Sequence, residues 1–306
     1  MNDQSTPGPT TFAERLRDGH FVITTEVAPP VSCDPDDLRR KAAPLKGLVD
    51  AVNVTDGAGA RAAMSALAAA ALLRDMGIEP ILQITCRDKN RIALQAELMG
   101  AAALGIRNLL LLTGDDPKAG DQPDPKPVFD VDSKTLLETA RRLRDEATLP
   151  TGRAVAGKAA FVLGAADVPI DPPAGWQPNA LAAKAKSGAQ FVQTQFCMDA
   201  AIVRRYVGVL AEAGLTADLA ILIGVNPLRS AKSAAWMKHH LYGTIIADAL
   251  IKRMEGAADP TREGIAICAE LIDELSQIPG VAGVHIMAPG NDAAIPEVIR
   301  AVRAKM

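Results

Sequence analysis

Short apolar runs alternate along the chain with longer segments of helical periodicity. The apolar runs are rich in Val, Ile, Leu and Thr and are mostly bounded by Gly, Pro or Asp, which is typical of strands buried on both faces. Eight of them predict strands: FVITTEV (21–27), AVNVTD (51–56), PILQITC (80–86), NLLLLTG (108–114), AAFVLGA (159–165), FVQTQF (191–196), AILIGVN (220–226) and GVHIMAP (283–289). The segments between them carry single apolar stripes, for example over 136–147 and 202–210.

Alternating strands and helices predict parallel strands joined by right-handed crossovers. Eight such units in 306 residues predict an α/β fold of the (β/α)8 TIM-barrel type. We expect one barrel domain over residues 20–306, preceded by a flexible N-terminal segment over 1–19. A doubly wound open sheet is the alternative, but no G-x-G-x-x-G motif follows the first predicted strand.

Polar side chains follow the apolar runs repeatedly. In a TIM barrel the active site lies at the carboxyl-terminal ends of the strands, so these side chains are expected to meet in one pocket. The candidates at these ends are Glu26, Thr55, Asp56, Gln83 to Arg87, Thr113 to Asp116, Gln193 to Gln195, Asn226 and His285 to Asn291.

Composition narrows the class of protein. Apolar residues make up 48% and charged residues 23%, which is typical of a soluble globular protein. A net charge of −3 without a basic stripe argues against nucleic acid, and no apolar run has membrane-spanning length, so we expect a cytoplasmic protein. The four cysteines form no C-x-x-C pair and no H-E-x-x-H is present, so we expect no metal site. A homo-oligomer is compatible with this composition.

Two proline-rich loops follow the fourth and fifth predicted strands. They cover residues 115–131 and 165–178 and rise from the predicted catalytic end. Long loops in compact domains are usually functional or mobile. Both a ligand-covering lid and a solvated connector fit these two segments.

Three motifs carry candidate chemistry. Glu26 in TTEVAPP ends a strand beside apolar neighbours, where desolvation would make it a usable proton donor, although a salt-bridged glutamate fits too. The pair Asp115-Asp116 in LLLLTGDDP would repel phosphate, which leaves a magnesium site, an Asp-Asp-Pro turn or the centre of an active site. Gln193 and Gln195 alternate along one strand, so their amides are expected on one face as a hydrogen-bond fork for a heterocyclic amide.

Five stretches together resemble the methylenetetrahydrofolate reductase family. They are TTEVAPP, VNVTDGAGAR, LQITCRDKNR, LGIRNLLLLTGDDP and FVQTQFCMD, in the family's order over roughly residues 20–230. The resemblance implies a TIM barrel that reduces 5,10-methylenetetrahydrofolate to 5-methyltetrahydrofolate. In the family a bound FAD delivers the hydride after its reduction by NADH or NADPH.

The resemblance also implies roles for individual residues. Glu26 matches the general acid that opens the five-membered ring to an iminium, and Asp115 matches an aspartate that stabilises this cation. Gln195 matches the glutamine that hydrogen-bonds the pterin, and we assign Gln193 and Asn226 to the same substrate-binding group. The residues assigned to cofactor binding are Thr55, Asp56, Gln83, Thr113, Gly114 and Lys184.

Several departures from the family pattern fall on the flavin side. Thr113 stands where the family commonly has arginine, Gln83 stands in place of a histidine, and LGAADVPID lacks the usual tyrosine and histidine. We therefore expect flavin to be held differently, bound weakly or absent. The leading interpretation is a folate-dependent reductase that uses FAD and NAD(P)H, and its variant passes hydride directly from the nicotinamide to the folate without flavin. A pterin-binding methyltransferase and a non-catalytic folate-binding subunit are the remaining alternatives.

Overall fold

Strands and helices alternate through the computed structural model, which describes residues 10–122 and 124–304. The strands are β1 (Val22–Val27), β2 (Ala51–Val54), β3 (Pro80–Thr85), β4 (Asn108–Leu112), β5 (Val162–Asp167), β6 (Phe191–Met198), β7 (Ala220–Val225), β8 (Ile245–Ile246) and β9 (Val281–Ile286). The α-helices are α1 (Phe12–Arg17), α2 (Pro35–Ala42), α3 (Ala66–Asp75), α4 (Arg91–Ala103), α5 (Ser133–Asp145), α6 (Asn179–Lys186), α7 (Ala200–Glu212), α8 (Ala231–His240), α9 (Asp248–Glu255), α10 (Pro260–Ser276) and α11 (Ile295–Arg303).

Eight parallel strands close into a barrel. Strands β1 to β5 pair in sequence order, β6 pairs with both β5 and β7, and β9 pairs with β7 and β1, which completes the ring. The (β/α)8 prediction is therefore confirmed, and the open-sheet alternative is wrong. The short β8 pairs only with the end of β6, at Cys197 and Met198.

The predicted strands are all present, with shifted ends. The fifth begins at Val162 rather than at 159 because its pairing with β4 starts there, and it continues to Asp167. The predicted loop over 165–178 consequently begins only after Asp167. Strand β6 runs two residues further than predicted, to Met198.

Helix α1 closes the amino-terminal end of the barrel. Residues 1–9 of the predicted flexible segment lie outside the described residues, whereas the later part of that segment forms this helix. A capping box between Thr11 and Glu14 starts it, and Phe12 is fully buried with its ring edge-on to Phe191 at 5.3 Å between centroids. Gly164 leaves room for Phe191, since a Cβ there would lie 2.2 Å from its ring.

Inward-facing side chains fill the barrel in layers, since every second residue of a strand points inward. The amino-terminal layer is apolar and consists of Phe12, Val22, Ala51, Ile81, Leu110, Phe191 and Leu222. Two residues further along, a buried polar layer contains Thr24, Asn53, Gln193 and His285, each at most 3% exposed. Above it lies the barrel mouth, where the strands end and most of the predicted site residues lie. In the described part of the chain no helix has the length and apolarity to cross a membrane.

Candidate functional site

The polar layer forms a closed set of hydrogen bonds under the barrel mouth. Asn53 and Gln193 exchange amide hydrogen bonds, with Asn53 Nδ2 to Gln193 Oε1 at 2.6 Å and Gln193 Nε2 to Asn53 Oδ1 at 3.1 Å. Gln193 Nε2 also lies 3.1 Å from Thr24 Oγ1 and 3.3 Å from His285 Nδ1. Such pairing lets polar side chains be buried, because a polar group without partners in the core is costly.

Glu26 stands directly above this layer at the end of β1. Thr24 is the register partner of His285, so Glu26 lies two residues nearer the mouth on the adjacent strand. Its Oε2 lies 3.8 Å from His285 Nε2, and a quarter of its side chain is exposed. The carboxyl also lines a cavity of about 410 Å³ between β1, α2 and α11, together with Lys41 and Arg300. Glu26 thus lies between the buried polar layer and a cavity that is open to solvent.

Gln193 and Gln195 do not share the arrangement expected from strand alternation. Strand β6 has a register irregularity between Gln193 and Phe196. Gln193 belongs to the buried polar layer. The half-buried Gln195 donates from Nε2 to the Tyr242 carbonyl at 3.2 Å and accepts the Phe196 N–H at 2.9 Å. The two amides therefore do not form one fork.

Asn226 lies just after β7 and is almost fully buried. Its Nδ2 donates to the Met287 carbonyl at 2.8 Å, and its backbone N–H points to Met198 Sδ at 3.3 Å. The side chain joins the ends of β7 and β9 and lines a cleft at the mouth.

The adjacent aspartates after β4 have different contacts. Asp115 is exposed, and its Oδ2 accepts the Gly59 N–H at 3.2 Å from the loop after β2. Asp116 caps the 3-10 turn Pro117–Ala119 by accepting the Lys118 N–H at 2.9 Å. Asp115 is thus a fixed charge at the mouth, and Asp116 is a turn residue.

Charged side chains support the loops around Asp115. Arg87 is 4% exposed, and its guanidinium donates to the carbonyls of Gly57 and Asp56 at 3.1 and 3.4 Å. Hydrogen bonds to Asp88 raise the pKa of Arg87. Gly114, at φ 98°, passes close to this side chain, since a Cβ there would lie 2.9 Å from Arg87 Cβ.

Asp56 is held by groups of the protein itself. Its Oδ2 accepts the backbone N–H of Thr85 at 2.9 Å and lies 2.7 Å from Lys89 Nζ, which also contacts Glu97 Oε2 at 2.8 Å. Burial alone would lower the pKa of Lys89, but the carboxylates of Asp56 and Glu97 outweigh burial and raise that pKa. The Asp56 carboxylate therefore connects the end of β2 to β3 through Thr85 and to α4 through Lys89 and Glu97.

Three further cofactor candidates are Lys184, Thr113 and Thr55. Lys184 donates to the Ala166 carbonyl at 2.6 Å, and Thr113 accepts the Ser133 N–H at 3.3 Å. These two residues line a cavity of only about 240 Å³, below the usual 300–1,000 Å³ of ligand pockets. Among the described residues, buried Thr55 Oγ1 has no hydrogen-bond partner and is free to contact a ligand. The amide of half-buried Gln83 likewise has no hydrogen bond in the described part of the chain, but a cavity this small does not fit a resident flavin.

A cleft of about 760 Å³ opens at the mouth between the loop after β2, the ends of β7 and β9, and α8. Three cationic residues line it, Arg61, Arg229 and Lys232, and no acidic residue is among its described lining. No ion pair of these three cations occurs within the described ranges. Trp236 contributes a half-exposed ring stacked on His240 at 5.1 Å, and Met237 is buried beside it. This surface, which we call the cationic cleft, suits an elongated anionic ligand with an aromatic or apolar part.

Thr24 and Asn53 belong to the polar layer but were not among the predicted site residues. Each lies two residues after an inward-facing residue of its own strand, Val22 or Ala51, so strand alternation would have placed both inside the barrel. Arg87 and His285 are among the strand-end candidates, with no role assigned to them from the sequence. The hydrogen-bond partners within the polar layer come from strands far apart in sequence, so these bonds could not be predicted without the register of the closed barrel. The cationic cleft has no sequence motif.

Comparison with known proteins gives the family. A family model described as Methylenetetrahydrofolate reductase matches residues 11–303. A Caenorhabditis elegans protein named "Probable methylenetetrahydrofolate reductase (NADPH)" is 27% identical over 246 residues, which cover 76% of this chain and 34% of that protein. The chain thus spans about a third of the length of this relative.

Solved structures show the same fold at low identity. An uncharacterized protein from Clostridium thermocellum that binds two copies of 5-methyl-5,6,7,8-tetrahydrofolic acid superposes with a TM-score of 0.67 at 12% identity, over 96% of this chain and 99% of that chain. DmoA from Hyphomicrobium sulfonivorans gives a TM-score of 0.54 at 10% identity, over 94% and 88% of the two chains. At these identities the similarity concerns the barrel alone. The family match over nearly the whole chain agrees with the motifs at the strand ends, and the chain belongs to the methylenetetrahydrofolate reductase family.

Proposed function

We propose that this chain reduces 5,10-methylenetetrahydrofolate to 5-methyltetrahydrofolate with NADH or NADPH. The observation that carries the proposal is Glu26, a partly enclosed carboxyl at the barrel mouth above a buried polar layer. Membership of the family and the nicotinamide nucleotide in the name of the C. elegans relative support it.

The reaction needs a proton and a hydride. Glu26 gives its proton to the nitrogen that leaves when the five-membered ring opens, and the methylene carbon remains on the other nitrogen as an iminium cation. Hydride addition to that carbon yields the methyl group. The Asp115 carboxylate supplies a fixed negative charge that stabilises the cation, while Gln195 and Asn226 hydrogen-bond the pterin.

We infer that the hydride comes directly from the nicotinamide. The cavity beside Thr113 and Lys184 is smaller than a flavin site requires, and the Asp56 carboxylate is held in an ion pair with Lys89. The flavin route remains the alternative, and the visible absorbance of the purified protein separates the two. A colourless protein that oxidises NAD(P)H only with methylene-folate supports direct transfer, and a stoichiometric flavin spectrum contradicts it.

The cationic cleft suits the anionic part of one substrate. A folate carries carboxylates on its glutamate tail, and a nicotinamide dinucleotide carries phosphates. Arg61, Arg229 and Lys232 offer positive charge to either group on a protein whose net charge is −3. The cleft opens beside Asn226, so a ligand bound there reaches the mouth.

The proposal is tested with Glu26→Gln, which keeps the size of the side chain and removes its acidic proton. We expect kcat for folate-dependent NAD(P)H oxidation to fall about 100-fold or more, with an unchanged circular dichroism spectrum. Glu297→Gln is the matched control, because Glu297 is exposed and lines the same cavity as Glu26. Normal turnover by Glu26→Gln would contradict the proton-donor role. Folate binding without NAD(P)H oxidation by the unaltered protein would favour a methyltransferase or a binding subunit.

A further inference from the structure

We propose that His285 is a positioning residue that orients the Glu26 carboxyl in both of its protonation states. The proposal rests on the function proposed above, in which Glu26 alternates between carboxylic acid and carboxylate. The evidence for the positioning role is the set of side-chain hydrogen bonds around the imidazole ring of His285.

His285 is fixed from below by the polar layer. Its Nδ1 lies 3.0 Å from Thr24 Oγ1 and 3.3 Å from Gln193 Nε2. Gln193 is itself held by Asn53, because Asn53 Nδ2 donates to Gln193 Oε1 at 2.6 Å and Gln193 Nε2 donates to Asn53 Oδ1 at 3.1 Å, an arrangement in which the amide nitrogen of Gln193 faces the ring. The ring is 3% exposed, and a buried side chain with partners on one edge has little freedom to rotate.

The other edge of the ring faces Glu26. Among the described residues, the polar partner of His285 Nε2 is Glu26 Oε2 at 3.8 Å. This distance is longer than a hydrogen bond, and catalytic hydrogen bonds are often long before the substrate is bound. A small rotation of the Glu26 side chain closes it, and the substrate approaches from the opposite side, at the mouth.

Thr24 lets the ring adopt either tautomer. Its hydroxyl lies 3.0 Å from His285 Nδ1 and 3.2 Å from the Val284 carbonyl, and its single proton can be donated to either acceptor. When it is donated to Nδ1, the ring proton is on Nε2 and faces an ionised Glu26. When it is donated to Val284, Nδ1 carries the ring proton and donates it to Thr24 Oγ1, while the two protons of Gln193 Nε2 go to Thr24 Oγ1 and Asn53 Oδ1. Bare Nε2 then accepts the hydrogen bond of a protonated Glu26. One rotation of a hydroxyl thus matches the ring to both states of the acid.

Two substitutions separate this role from simple packing. In His285→Gln the amide reaches the place of Nε2, whereas in His285→Asn it reaches only the place of Nδ1. We expect Gln to keep most of kcat and Asn to lower it by about 10- to 100-fold, with the KM for folate changed little, since a misplaced catalytic group costs rate more than binding. His239→Asn is the control, because His239 is exposed.

A double-mutant comparison tests whether the effect passes through Glu26. His285→Asn should lower kcat in the unaltered protein and have little further effect in the Glu26→Gln background. A purely structural role predicts the same loss in both backgrounds, together with a lower Tm, and that outcome overturns the proposal. Equal kcat values for the Asn variant and the unaltered protein overturn it as well.

A measurement independent of turnover keeps the two proposals distinguishable. The ring ¹⁵N resonances of His285, identified by their loss in His285→Gln, should shift in Glu26→Gln and stay in place in Glu297→Gln. If they do not shift in Glu26→Gln, the positioning role is wrong even if the protein is an active reductase. If they shift while the unaltered protein fails to oxidise NAD(P)H with folate, the contact stands and the proposed reaction is wrong.

Discussion

Asp115 and Asp116 are chemically identical neighbours that the fold uses differently. Gly114 turns the chain out of β4 at a positive φ, after which the Asp115 carboxylate accepts the Gly59 N–H from the loop after β2. Asp116 bonds within its own turn, where its side chain accepts the Lys118 N–H. Asp115 therefore presents a charge to the mouth, whereas Asp116 stabilises the loop that follows.

This difference predicts opposite results for matched substitutions. Asp115→Asn removes the charge proposed to stabilise the iminium, so we expect kcat to fall about 100-fold, the usual scale for one electrostatic group in an active site. Asp116→Asn keeps a side chain that caps turns well, so turnover and Tm should stay close to those of the unaltered protein. Steady-state kinetics of the two variants check this, and equal losses in both would remove Asp115 from the mechanism.

At the scale of the strand, the sequence predicts what depends on local periodicity. The eight apolar runs gave the barrel and placed Glu26 and Asn226 at strand ends, because parity and strand ends are local properties. The irregularity in β6 that separates Gln193 from Gln195 leaves no mark in a run that alternates regularly. The two-residue β8 is too short to show any period.

Contacts between distant strands explain the remaining differences. Gln193 bonds residues 140 and 169 positions away, so its place in the polar layer depends on the register of the closed barrel. Asp56 likewise meets Lys89 only because β2 and β3 are neighbours. The sequence predicts ligand binding for Gln193 and Asp56, whereas in the structure the side chain of each is bonded to other side chains of the protein.

Helix α8 and the residues just before it supply one wall of the cationic cleft. The double variant Arg229→Ala/Lys232→Ala removes two cations that have no ion-pair partner within the described ranges. We expect the KM of the substrate whose anionic part lies in the cleft to rise by about 5- to 10-fold, given about 0.2–1 kcal/mol per exposed charge, with kcat unchanged. Initial rates with folate and NAD(P)H varied in turn, at low and high ionic strength, identify that substrate.

The control for this prediction is Lys252→Ala, an exposed lysine of α9 that does not line the cleft. High salt should raise the KM of the unaltered protein and affect the double variant less, because screening weakens the same attraction that the substitution removes. If neither KM changes in the double variant, the cleft does not bind a substrate anion through Arg229 and Lys232.

For the whole molecule, the aliphatic core makes stability sensitive to alkaline pH. Burial raises the pKa of the Cys86 thiol to about 11. Burial is also the main reason why the pKa of the Cys197 thiol is raised to about 12, and it raises the pKa of the Cys268 thiol as well. Burial, and then the neighbouring Asp167 carboxylate, raises the pKa of Tyr206. Each group holds its proton more tightly in the folded chain, so its contribution to stability is complete below its ordinary pKa and is lost as the pH rises towards the folded value.

The free energy of unfolding should therefore fall steeply above about pH 9, by up to about 1.4 kcal/mol per pH unit for each buried thiol. Urea unfolding between about pH 8 and about pH 10.5 measures this slope. Cys268→Ala removes one such group, so its slope should be shallower by about 1.4 kcal/mol per pH unit whatever the cavity costs at neutral pH. Cys33→Ala is the matched control, because Cys33 is exposed and its loss should leave the slope unchanged. Because Cys268 is completely buried, its thiol should ionise less readily in the folded chain than in the unfolded one. Equal slopes for the Cys268 and Cys33 variants would contradict this prediction.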